Sequence, residues 1–592
     1  MHDNLVLNES LLTQLQQAYA RHGQPHRWDE HQTAAFFQHI QAEGTEHWLP
    51  SGDGLDYGGF LEYMTSPAAN ALGPPPPEQD LSWPLGSYFC SSSHNTYLTG
   101  DQLASDASTA AYKDVLLRNC RCIEIDVWDG TEHFHDPDNP DSGGFDGRGT
   151  RKLGFRARTA LKVGTWVLDN CMTTEKAKEE AKEHKARFAS LLGVEPRVLH
   201  GHTLTKEVPF REVCRAVKEH GFVTSDLPIV VSLEVHCTPP QQDTMVEIMR
   251  QEWEGLLLDE PDEPAEVLPS PEAMRNKILV KVKYVPPEGD LTPINTTESD
   301  MSDIARDGEP AKKEKPVKIT HDLSDMGIYT RAVKYKSMTQ KEAEMVGHIF
   351  SVSEPKLPGA FDKEASLFFA HNKRHLMRTY PAGTRVDSSN MDPSGHWRRG
   401  VQFAALNWQT MDEGMMLNEA LFDGSKGYVL KPDGYRGVKL GHEEGGEPMV
   451  PHQTLHACSV TVLAAQGLPS ESGAGLHPYV SVKLFADPHP LQLMKREPLA
   501  GRTEPAEGIN PDFGGQTVLF GDVVGVTSEL SFLMFQVMND ELGRDPLLGW
   551  ACIRLDRLRT GYRIVRLFDL ENNQTPAALL VKIEMAVQNA GA

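Results

Sequence analysis

The chain has 592 residues, of which 39% are hydrophobic and 24% are charged, and its formal net charge is −25 at pH 7. This length predicts three to five domains, since a typical domain has about 100–200 residues. The acidic balance excludes nucleic acid as the main partner, because phosphate backbones are bound by basic faces. The longest apolar stretches, such as 228–235, have the length of a strand and predict no transmembrane segment.

The N-terminus and the cysteines indicate the compartment. The first residues lack a basic stretch followed by an apolar one, so no secretory signal is predicted. Among the eight cysteines, Cys120 and Cys122 lie two apart, a spacing that suits neither a zinc knuckle nor a redox pair. We therefore expect free buried thiols, a cytoplasmic location and peripheral contact with membranes.

The first segment, 1–72, shows helical periodicity on both sides of a loop rich in Gly and Asp. Helix, acidic loop and helix suggest an EF-hand, whose calcium loop needs oxygen ligands at alternate positions and a glutamate at the twelfth. Counting back from Glu62 places Ser51 first and Leu55 fifth, so the ligand set is broken. The prediction is an EF-hand-like helical lobe with a degenerate calcium site, and a calcium-signalling adaptor is the remoter alternative.

Strands and helices alternate over 83–283, which predicts a parallel sheet with covered faces. Residues 131–195 interrupt the alternation and predict an insertion on a barrel loop. Residues 284–320 are rich in Pro, Glu, Asp and Lys and predict a disordered linker, after which strand signals resume over 321–436. The candidate strands are Tyr88–Cys90, Cys122–Trp128, Val198–His200, Ile229–Val235, Ile278–Val282, Gly347–Ser351, Leu376–Tyr380 and Val401–Leu406. A barrel split by a linker is the economical interpretation.

The last segment, 451–592, has a different sequence pattern, without the alternation of strands and helices. Short strand patterns recur at regular spacing between turns rich in Gly and Pro. This spacing predicts an antiparallel β-sandwich.

Ionisable and amide side chains stand where the candidate barrel strands end, which is where barrel enzymes place their chemistry. Glu124 and Asp126 are two apart on one strand, so both side chains point to the same face. Side chains at the other strand ends are His94, Asn95, His200, Glu234, Lys281 and Lys283.

Carboxylates inside a barrel need partners, because an unpaired buried charge costs several kcal/mol. Four hard oxygen donors favour Ca²⁺ or Mg²⁺ over zinc: Asn95, Glu124, Asp126 and Glu234. His94 and His200 remain for acid–base work or charge stabilisation. The lysines and Arg378 supply positive charge for a phosphate-bearing substrate. A structural ion-pair network between the acids and the lysines is the alternative.

Long ordered motifs occur in both halves of the predicted barrel. They are Ser92–Leu98, Cys120–Gly130 and His200–Thr205 before the linker, and Tyr380–Gly383, Asp387–Asn390, Ala405–Thr410 and Gly427–Pro432 after it. They resemble the X and Y halves of eukaryotic phosphoinositide-specific phospholipase C, and the sandwich resembles that family's C2 domain. We expect no pleckstrin-homology domain before the helical lobe, so the architecture most resembles a delta-type enzyme trimmed at its N-terminus. The insertion after Gly130 resembles filamentous-fungal members.

The resemblance implies a TIM-type (β/α)8 barrel that hydrolyses phosphatidylinositol 4,5-bisphosphate, and related phosphoinositides, in intracellular lipid signalling. The products would be inositol 1,4,5-trisphosphate and diacylglycerol. One Ca²⁺ would be held by Asn95, Glu124, Asp126 and Glu234. His94 would donate to the phosphoryl oxygens, His200 would protonate the leaving diacylglycerol, and Glu124 or Asp126 would take the proton of the attacking inositol 2-hydroxyl. The positions that match the ring-phosphate ligands are Lys281, Lys283, Ser353 and Arg378, and Tyr380 matches the residue that packs on the inositol face.

Two regions depart from the family pattern. On the barrel rim, Thr384 replaces an aromatic that dips into the membrane, Ala360 is likewise small and His202 replaces another aromatic, whereas Leu103 and Leu204 stay apolar. We therefore expect weaker membrane insertion of this rim. In the sandwich, His477, Asn539, Glu541 and Asp545 occupy the positions of the calcium-binding aspartates, so weak or no calcium binding is expected there.

The expected state is a monomer acting on phosphoinositide lipids at a membrane surface. The alternative is a catalytically silent lipid- or protein-binding scaffold on the same fold. Inactive relatives lack one of the catalytic histidines or ligands, and here His94 and His200 are both present.

Overall fold

A computed structural model describes residues 6–23, 26–44, 54–75, 78–130, 195–201, 207–258, 260, 265–286, 318–437, 439, 450, 453–470, 475–486 and 499–589. The predicted insertion, apart from its last residue, and most of the predicted linker lie outside these ranges. So do Ser51, His202 and Leu204.

The N-terminal lobe is built from three helices and a two-stranded ribbon. The helices are α1 (Glu9–His22), α2 (Glu30–Ala35) and α3 (Tyr57–Thr65), and α2 continues into a wider turn over Phe36–Ile40. Strands β1 (Arg27–Trp28) and β2 (Leu55–Asp56) pair antiparallel, which joins the two helix–loop–helix halves. The Asp56 carboxylate accepts the amide of Gly59, so this acidic residue caps α3.

The middle region alternates strands with helices. Its strands are β3 (Tyr88–Cys90), β4 (Ser92–Ser93), β5 (Cys122–Trp128), β6 (Arg197–Val198), β7 (Val208–Pro209), β8 (Ile229–Val235), β9 (Ile278–Lys283), β10 (Arg331–Val333), β11 (His348–Ser353), β12 (Leu376–Tyr380), β13 (Phe403–Leu406) and β14 (Tyr428–Leu430). Its helices are α4 (Thr109–Leu117), α5 (Phe210–His220), α6 (Pro239–Glu252), α7 (His321–Ser324), α8 (Leu357–Arg374), α9 (Ser394–Trp397) and α10 (Glu413–Phe422). Helix α8 bends at Glu364.

Eight of these strands form a closed parallel barrel, as predicted. They follow one another around the ring in the order β4, β5, β8, β9, β10, β11, β12 and β13, and β13 pairs with β4 to close it. Four strands precede the segment 287–317 and four follow it, so the two halves of the chain build equal parts of the barrel. All eight strands are parallel, and their carboxyl ends therefore meet at one mouth.

Two strand predictions are wrong in position. The apolar run β3 pairs antiparallel with β14 outside the ring, and the barrel strand before His94 is the short polar β4. Likewise β6 pairs antiparallel with the end of β5 and with β7, so His200 follows a flap on the barrel rather than one of its strands. Both predictions followed the apolar residues. The barrel strand β4 was missed because a strand of two polar residues has no periodic pattern.

The C-terminal domain is the predicted antiparallel sandwich. Its strands are β15 (Gln453–Gln466), β16 (Pro478–Phe485), β17 (Leu499–Arg502), β18 (Asp512–Val526), β19 (Phe532–Asn539), β20 (Leu547–Arg554), β21 (Gly561–Phe568) and β22 (Gln574–Asn589). Two buried arginines connect it to the other domains. Arg398 of the barrel donates to the carbonyls of Leu530 and Phe485, and Arg563 of the sandwich pairs with Glu43 of the helical lobe at 2.7 Å.

The N-terminal end of the barrel is closed by buried polar side chains. Lys431 Nζ donates to the carbonyl oxygens of Gly86, Asn372 and Gly400 at 2.7, 2.7 and 2.9 Å. Burial lowers the pKa of this lysine well below its ordinary value. This end is therefore structural, and the chemistry is left to the opposite mouth.

His371 on α8 makes stability depend on pH. Burial lowers the pKa of His371 from 6.5 to about 4, so between these values the unfolded chain binds a proton that the folded chain does not. The contribution of neutral His371 to the unfolding free energy is therefore fully present above the pKa of the unfolded chain. It is lost as the pH falls toward the pKa of the folded chain.

We expect His371→Phe, which keeps a ring against Phe350, to remove about 2 kcal/mol of the decline in unfolding free energy between about pH 7 and about pH 4.5. Urea titrations at both pH values measure this decline. His220→Phe, on the outer helix α5, is the control and should leave the decline as it is in the parent protein. Equal declines in parent and His371→Phe would contradict the prediction.

Candidate active site

The mouth of the barrel holds a pocket that brings the predicted residues together. Its walls include His94, Asn95, Glu124, Asp126, His200, Glu234, Arg378 and Tyr380. A second cavity opens beside it and includes Lys281, Lys283 and Ser353, and Glu234 and Tyr380 border both. Every site residue predicted from the sequence therefore lies at one end of one barrel.

The order of strands around the ring separates the charges. Neighbouring strands β4, β5 and β8 bring the amide of Asn95 and the carboxylates to one side of the mouth. Strands β9 to β12 bring Lys281, Lys283 and Arg378 to the other side. The mouth thus has an acidic half suited to a cation next to a basic half suited to phosphates.

Glu124 and Asp126 are both buried, as their spacing on β5 predicts. Glu124 Oε1 lies 2.8 Å from Arg378 Nη2, and its Oε2 accepts the backbone amide of Asn95. Burial acts to raise the pKa of Glu124, but the charges of Arg378, His94 and Lys281 and the amide of Asn95 act against it, and the pKa is lowered. Glu124 is therefore paired with Arg378, which is an ion pair of the kind the structural alternative proposes, with arginine as the cation.

Asp126 has the opposite electrostatic environment. Burial, followed by the neighbouring charge of Glu124, raises the pKa of Asp126 well above its ordinary value. Its Oδ2 accepts the hydroxyl of Tyr97 at 2.7 Å, whereas its buried Oδ1 has no hydrogen-bond partner. An orphaned carboxylate oxygen in a pocket marks a place for a ligand.

Asn95 is held in a strained conformation beside these acids. Its φ of 43° lies in the left-handed region, which only asparagine and a few other side chains tolerate. Its Nδ2 donates to Gln102 Oε1 at 2.7 Å, so the amide oxygen is the atom left for a ligand. Glu234 stands in register with Asp126 on the adjacent strand β8.

These four residues fit a calcium ion. All four offer oxygen, all line one pocket, and Asp126 Oδ1 is buried without a partner. Within the described ranges, no three His, Cys, Asp or Glu side chains already stand together as a metal site. Glu124 is instead bonded to Arg378, and Asp126 is bonded to Tyr97. A bound cation would replace these partners.

His94 has one ring nitrogen anchored. Its Nδ1 lies 2.9 Å from Asn407 Oδ1 and donates to it, and its ring stacks on Tyr380 with centroids 6.2 Å apart. The Nε2 atom is left for the ligand. Burial lowers the pKa of His94, although the charge of Glu124 acts in the opposite direction.

His200 is anchored in the same way from another element. Its Nδ1 donates to the backbone carbonyl of Gln102 at 2.6 Å, and the side chain is buried on the wall of the pocket. A carbonyl can only accept, so this bond fixes the tautomer and leaves Nε2 to gain or lose a proton. His236 also lines the pocket, and its ring stacks on that of Trp128 with centroids 4.1 Å apart.

The basic half offers donors at several depths. Lys281 is buried and donates to Ser232 Oγ at 3.1 Å. Ser353 Oγ is buried and has no hydrogen-bond partner, so a ligand oxygen could accept its proton. The Arg378 guanidinium lies over the Tyr380 ring at 5.3 Å, which holds the ring that faces His94.

Sequence reasoning missed the residue that connects these groups, Gln102. Its Oε1 accepts from Asn95, its carbonyl accepts from His200, and its Nε2 donates to Ser388 Oγ at 2.8 Å. A single glutamine in a loop has no periodicity, so no pattern could reveal it. Asn407, which follows strand β13, could have been found by the strand-end rule that selected the others.

Two of the rim residues named above, Leu103 and Thr384, are exposed to solvent, and the exposed fraction of Leu103 is 45%. In the sandwich, Asn539 Oδ1 accepts the amide of His477, Asn539 Nδ2 donates to Glu541, and Asp545 accepts from Tyr479. The side chains of Asn539, Glu541 and Asp545 are thus hydrogen-bonded to other groups of the sandwich.

The site at the mouth of this closed parallel barrel combines an acidic half, a basic half and two anchored imidazoles. Residues 81–284 match the phosphatidylinositol-specific phospholipase C X domain, and residues 323–434 match its Y domain. Residues 10–75 match an EF-hand model and residues 456–570 a C2 domain. The chain belongs to the phosphatidylinositol-specific phospholipase C family, which uses Ca²⁺ at its active site.

The relatives that the chain resembles include delta-type members. It is 32% identical over 590 residues to 1-phosphatidylinositol 4,5-bisphosphate phosphodiesterase delta-4 of Homo sapiens, covering 92% of this chain and 67% of the relative. It is 30% identical over 566 residues to 1-phosphatidylinositol 4,5-bisphosphate phosphodiesterase 1 of Candida albicans, covering 85% of this chain and 47% of the relative. The chain thus spans about half to two thirds of the length of these curated relatives.

Solved structures show the same fold. The crystal structure of S. officinalis PLC21 superposes with a TM-score of 0.71 at 23% identity, covering 99% of this chain and 69% of that one. Among the residues that the structure describes, none of the helices has the length and hydropathy of a bilayer-crossing segment.

Proposed function

We propose that this chain hydrolyses phosphatidylinositol 4,5-bisphosphate, and related phosphoinositides, to inositol 1,4,5-trisphosphate and diacylglycerol in a Ca²⁺-dependent reaction of lipid signalling. The observation that carries the proposal is the meeting, in one pocket, of four oxygen donors with His94 and His200. The family membership and the printed activity of the similar phosphodiesterases support it.

In the proposed mechanism the substrate supplies its own nucleophile. The inositol 2-hydroxyl attacks the adjacent phosphodiester, and a tethered nucleophile gains its advantage from proximity. Glu124 or Asp126 takes the hydroxyl proton. Ca²⁺ bound by Asn95, Glu124, Asp126 and Glu234 would lower the hydroxyl pKa and neutralise charge on the phosphate.

The two histidines have separate tasks. His94 is anchored by Asn407, and when protonated it donates from Nε2 to the phosphoryl oxygen on which charge develops. His200 protonates the diacylglycerol oxygen as the P–O bond breaks, which leaves Nε2 unprotonated. In the second step the same nitrogen accepts a proton from water as water attacks the cyclic phosphate. The bond from phosphorus to the inositol 2-oxygen breaks, and the carboxylate returns its proton to that oxygen, so both groups regain their first state.

The basic half selects the headgroup. Lys281, Lys283, Ser353 and Arg378 would bind the ring phosphates, and Tyr380 would pack on the inositol face. Arg378 is also the partner of Glu124, so binding of Ca²⁺ would free its guanidinium for phosphate.

We further propose that the protein is a cytoplasmic monomer that associates peripherally with membranes, with degenerate calcium sites in the EF-hand-like lobe and the C2 domain. The bonding of Asp56 to α3, and of the sandwich side chains to one another, supports the degenerate sites. The insertion 131–195 is the basis for proposing a filamentous-fungal affinity within the delta-like group.

The test of the proposed function is release of inositol phosphates from vesicles that contain phosphatidylinositol 4,5-bisphosphate, with calcium and with a chelator. We expect inositol phosphates to be released when calcium is present and not when the chelator is present. Parallel assays on phosphatidylinositol and its 4-phosphate would rank the substrates. Equal and negligible release in both conditions would favour the catalytically silent scaffold.

Gln102 is expected to act as a positioning residue for this reaction. Gln102→Ala should lower activity and raise the calcium concentration for half-maximal activity by about 10–100-fold, as the loss of a residue that orients metal ligands typically does. The matched control is Gln409→Ala, because Gln409 also donates to Ser388 and Gly100 but makes no bond to Asn95. Equal effects of the two changes would rule out a role specific to Gln102.

A further inference from the structure

Four exposed lysines surround the basic side of the barrel mouth, beyond the residues assigned to the substrate. They are Lys334, Lys336, Lys356 and Lys363. Lys334 and Lys336 follow strand β10, and Lys356 and Lys363 follow strand β11. They line the same cavity as Lys281, Lys283 and Ser353, so the basic half of the mouth continues outward from the pocket to the rim.

Two acids near these rim lysines, Glu364 and Glu354, are bonded to other groups, and Asp362 is exposed beside Lys363. The Glu364 carboxylate accepts the amide of Met338 at 2.8 Å and the hydroxyl of Tyr335 at 3.2 Å. Glu354 forms a two-bond pair with Arg385 at 2.7 and 2.8 Å. The chain as a whole carries −25, so this concentration of lysines is a local departure from its overall charge.

The rim lysines exceed what one headgroup requires. The deeper groups Lys281, Lys283 and Arg378 already supply three cations at the pocket, whereas the rim lysines stand in solvent on flexible stems. A compact, mobile ammonium suits non-specific contact with anionic headgroups, unlike the planar fork of arginine. They also stand on a rim where Thr384 and Ala360 offer little apolar surface.

We propose that Lys334, Lys336, Lys356 and Lys363 form a contact site for anionic lipid headgroups of the membrane other than the substrate. The contact would hold the mouth against the bilayer by charge at the part of the rim where Thr384 and Ala360 offer no large apolar side chain to insert. The choice of a lipid surface rests on the proposed function, because a lipid substrate reaches this pocket from a membrane.

The test is binding of the full chain to vesicles of phosphatidylcholine with and without phosphatidylserine, free of phosphoinositide, so that neither hydrolysis nor the substrate pocket enters the readout. The variant changes all four rim lysines to glutamine. The matched control changes Lys113, Lys218, Lys341 and Lys426 to glutamine, which alters net charge equally at exposed positions outside both cavities. Thermal unfolding verifies that both variants fold.

We expect the rim variant to bind phosphatidylserine vesicles about 100-fold more weakly than the parent and to lose most of the salt dependence of binding. The control variant should bind as the parent does. Equal binding by the parent and the rim variant, or an equal loss in the control, would overturn the proposal. Tighter binding by the rim variant would also overturn it, because the lysines would then hold an acidic part of the chain itself. Failure of the calcium-dependent hydrolysis assay would leave this result unchanged, so the two proposals fail separately.

Discussion

Replacing His200 with alanine is expected to lower turnover of phosphatidylinositol 4,5-bisphosphate by roughly 10²–10⁴-fold, the size of a lost general acid. The reason is geometric. The bond from Nδ1 to the carbonyl of Gln102 fixes the tautomer, so Nε2 is the nitrogen that can exchange a proton at the pocket. Initial rates at saturating calcium and substrate measure the effect.

The leaving group distinguishes this role from a structural one. A substrate with an acidic phenol in place of diacylglycerol needs no protonation as it leaves, so His200→Ala should lose far less activity on cyclisation of that substrate. His220→Ala, on the outer helix α5, serves as the control. Equal losses on the two substrates, or unchanged turnover, would remove His200 from the general-acid role.

Replacing Arg378 with methionine is expected to lower the unfolding free energy of the calcium-free protein by about 3–5 kcal/mol. Its guanidinium lies 2.8 Å from Glu124, and the two side chains are only 2% and 3% exposed. The change therefore leaves a buried carboxylate without its cation. Excess calcium should narrow the difference, because a bound cation replaces the lost partner of Glu124. Denaturant titrations with calcium and with a chelator measure both values.

The same change is expected to alter substrate preference. Loss of a charge-assisted hydrogen bond, about 1.5–3 kcal/mol, should reduce hydrolysis of substrates that carry a 4-phosphate by about 10–100-fold more than that of phosphatidylinositol. The control is Arg385→Met, which removes the half-buried pair with Glu354 at the rim. Its loss of stability should not respond to calcium. An equal loss on phosphorylated and unphosphorylated substrates would refute the assignment of Arg378.

The order of the strands has a further consequence for the site. Asn95, Glu124 and Glu234 are distant in the chain, yet β4, β5 and β8 are neighbours in the ring. The lysines arise from β9, and Arg378 arises from β12 on the far side of the segment 287–317. The barrel therefore needs both halves of the chain to place Arg378 beside Glu124.

Local patterns in the sequence were sufficient to predict the fold class and the family. The two-residue spacing of Glu124 and Asp126 on an apolar strand required both to face inward, and the structure buries both. The oxygen-only donor set indicated a hard cation, and the long motifs indicated the family. The burial of both acids and the family are confirmed, because alternation along a strand and the order of residues in a motif are local properties of the chain. The set of cation ligands stays a prediction.

The connections between these groups become visible only in the folded barrel. His94 follows the two polar residues of the barrel strand β4 rather than the apolar run β3. His200 follows the flap formed by β6 and β7 rather than a barrel strand. Glu124 is paired with Arg378, and Gln102 lies between Asn95 and His200. These contacts join residues far apart in the chain, and closure of the barrel sets them. No local pattern records which strand ends will meet across the mouth.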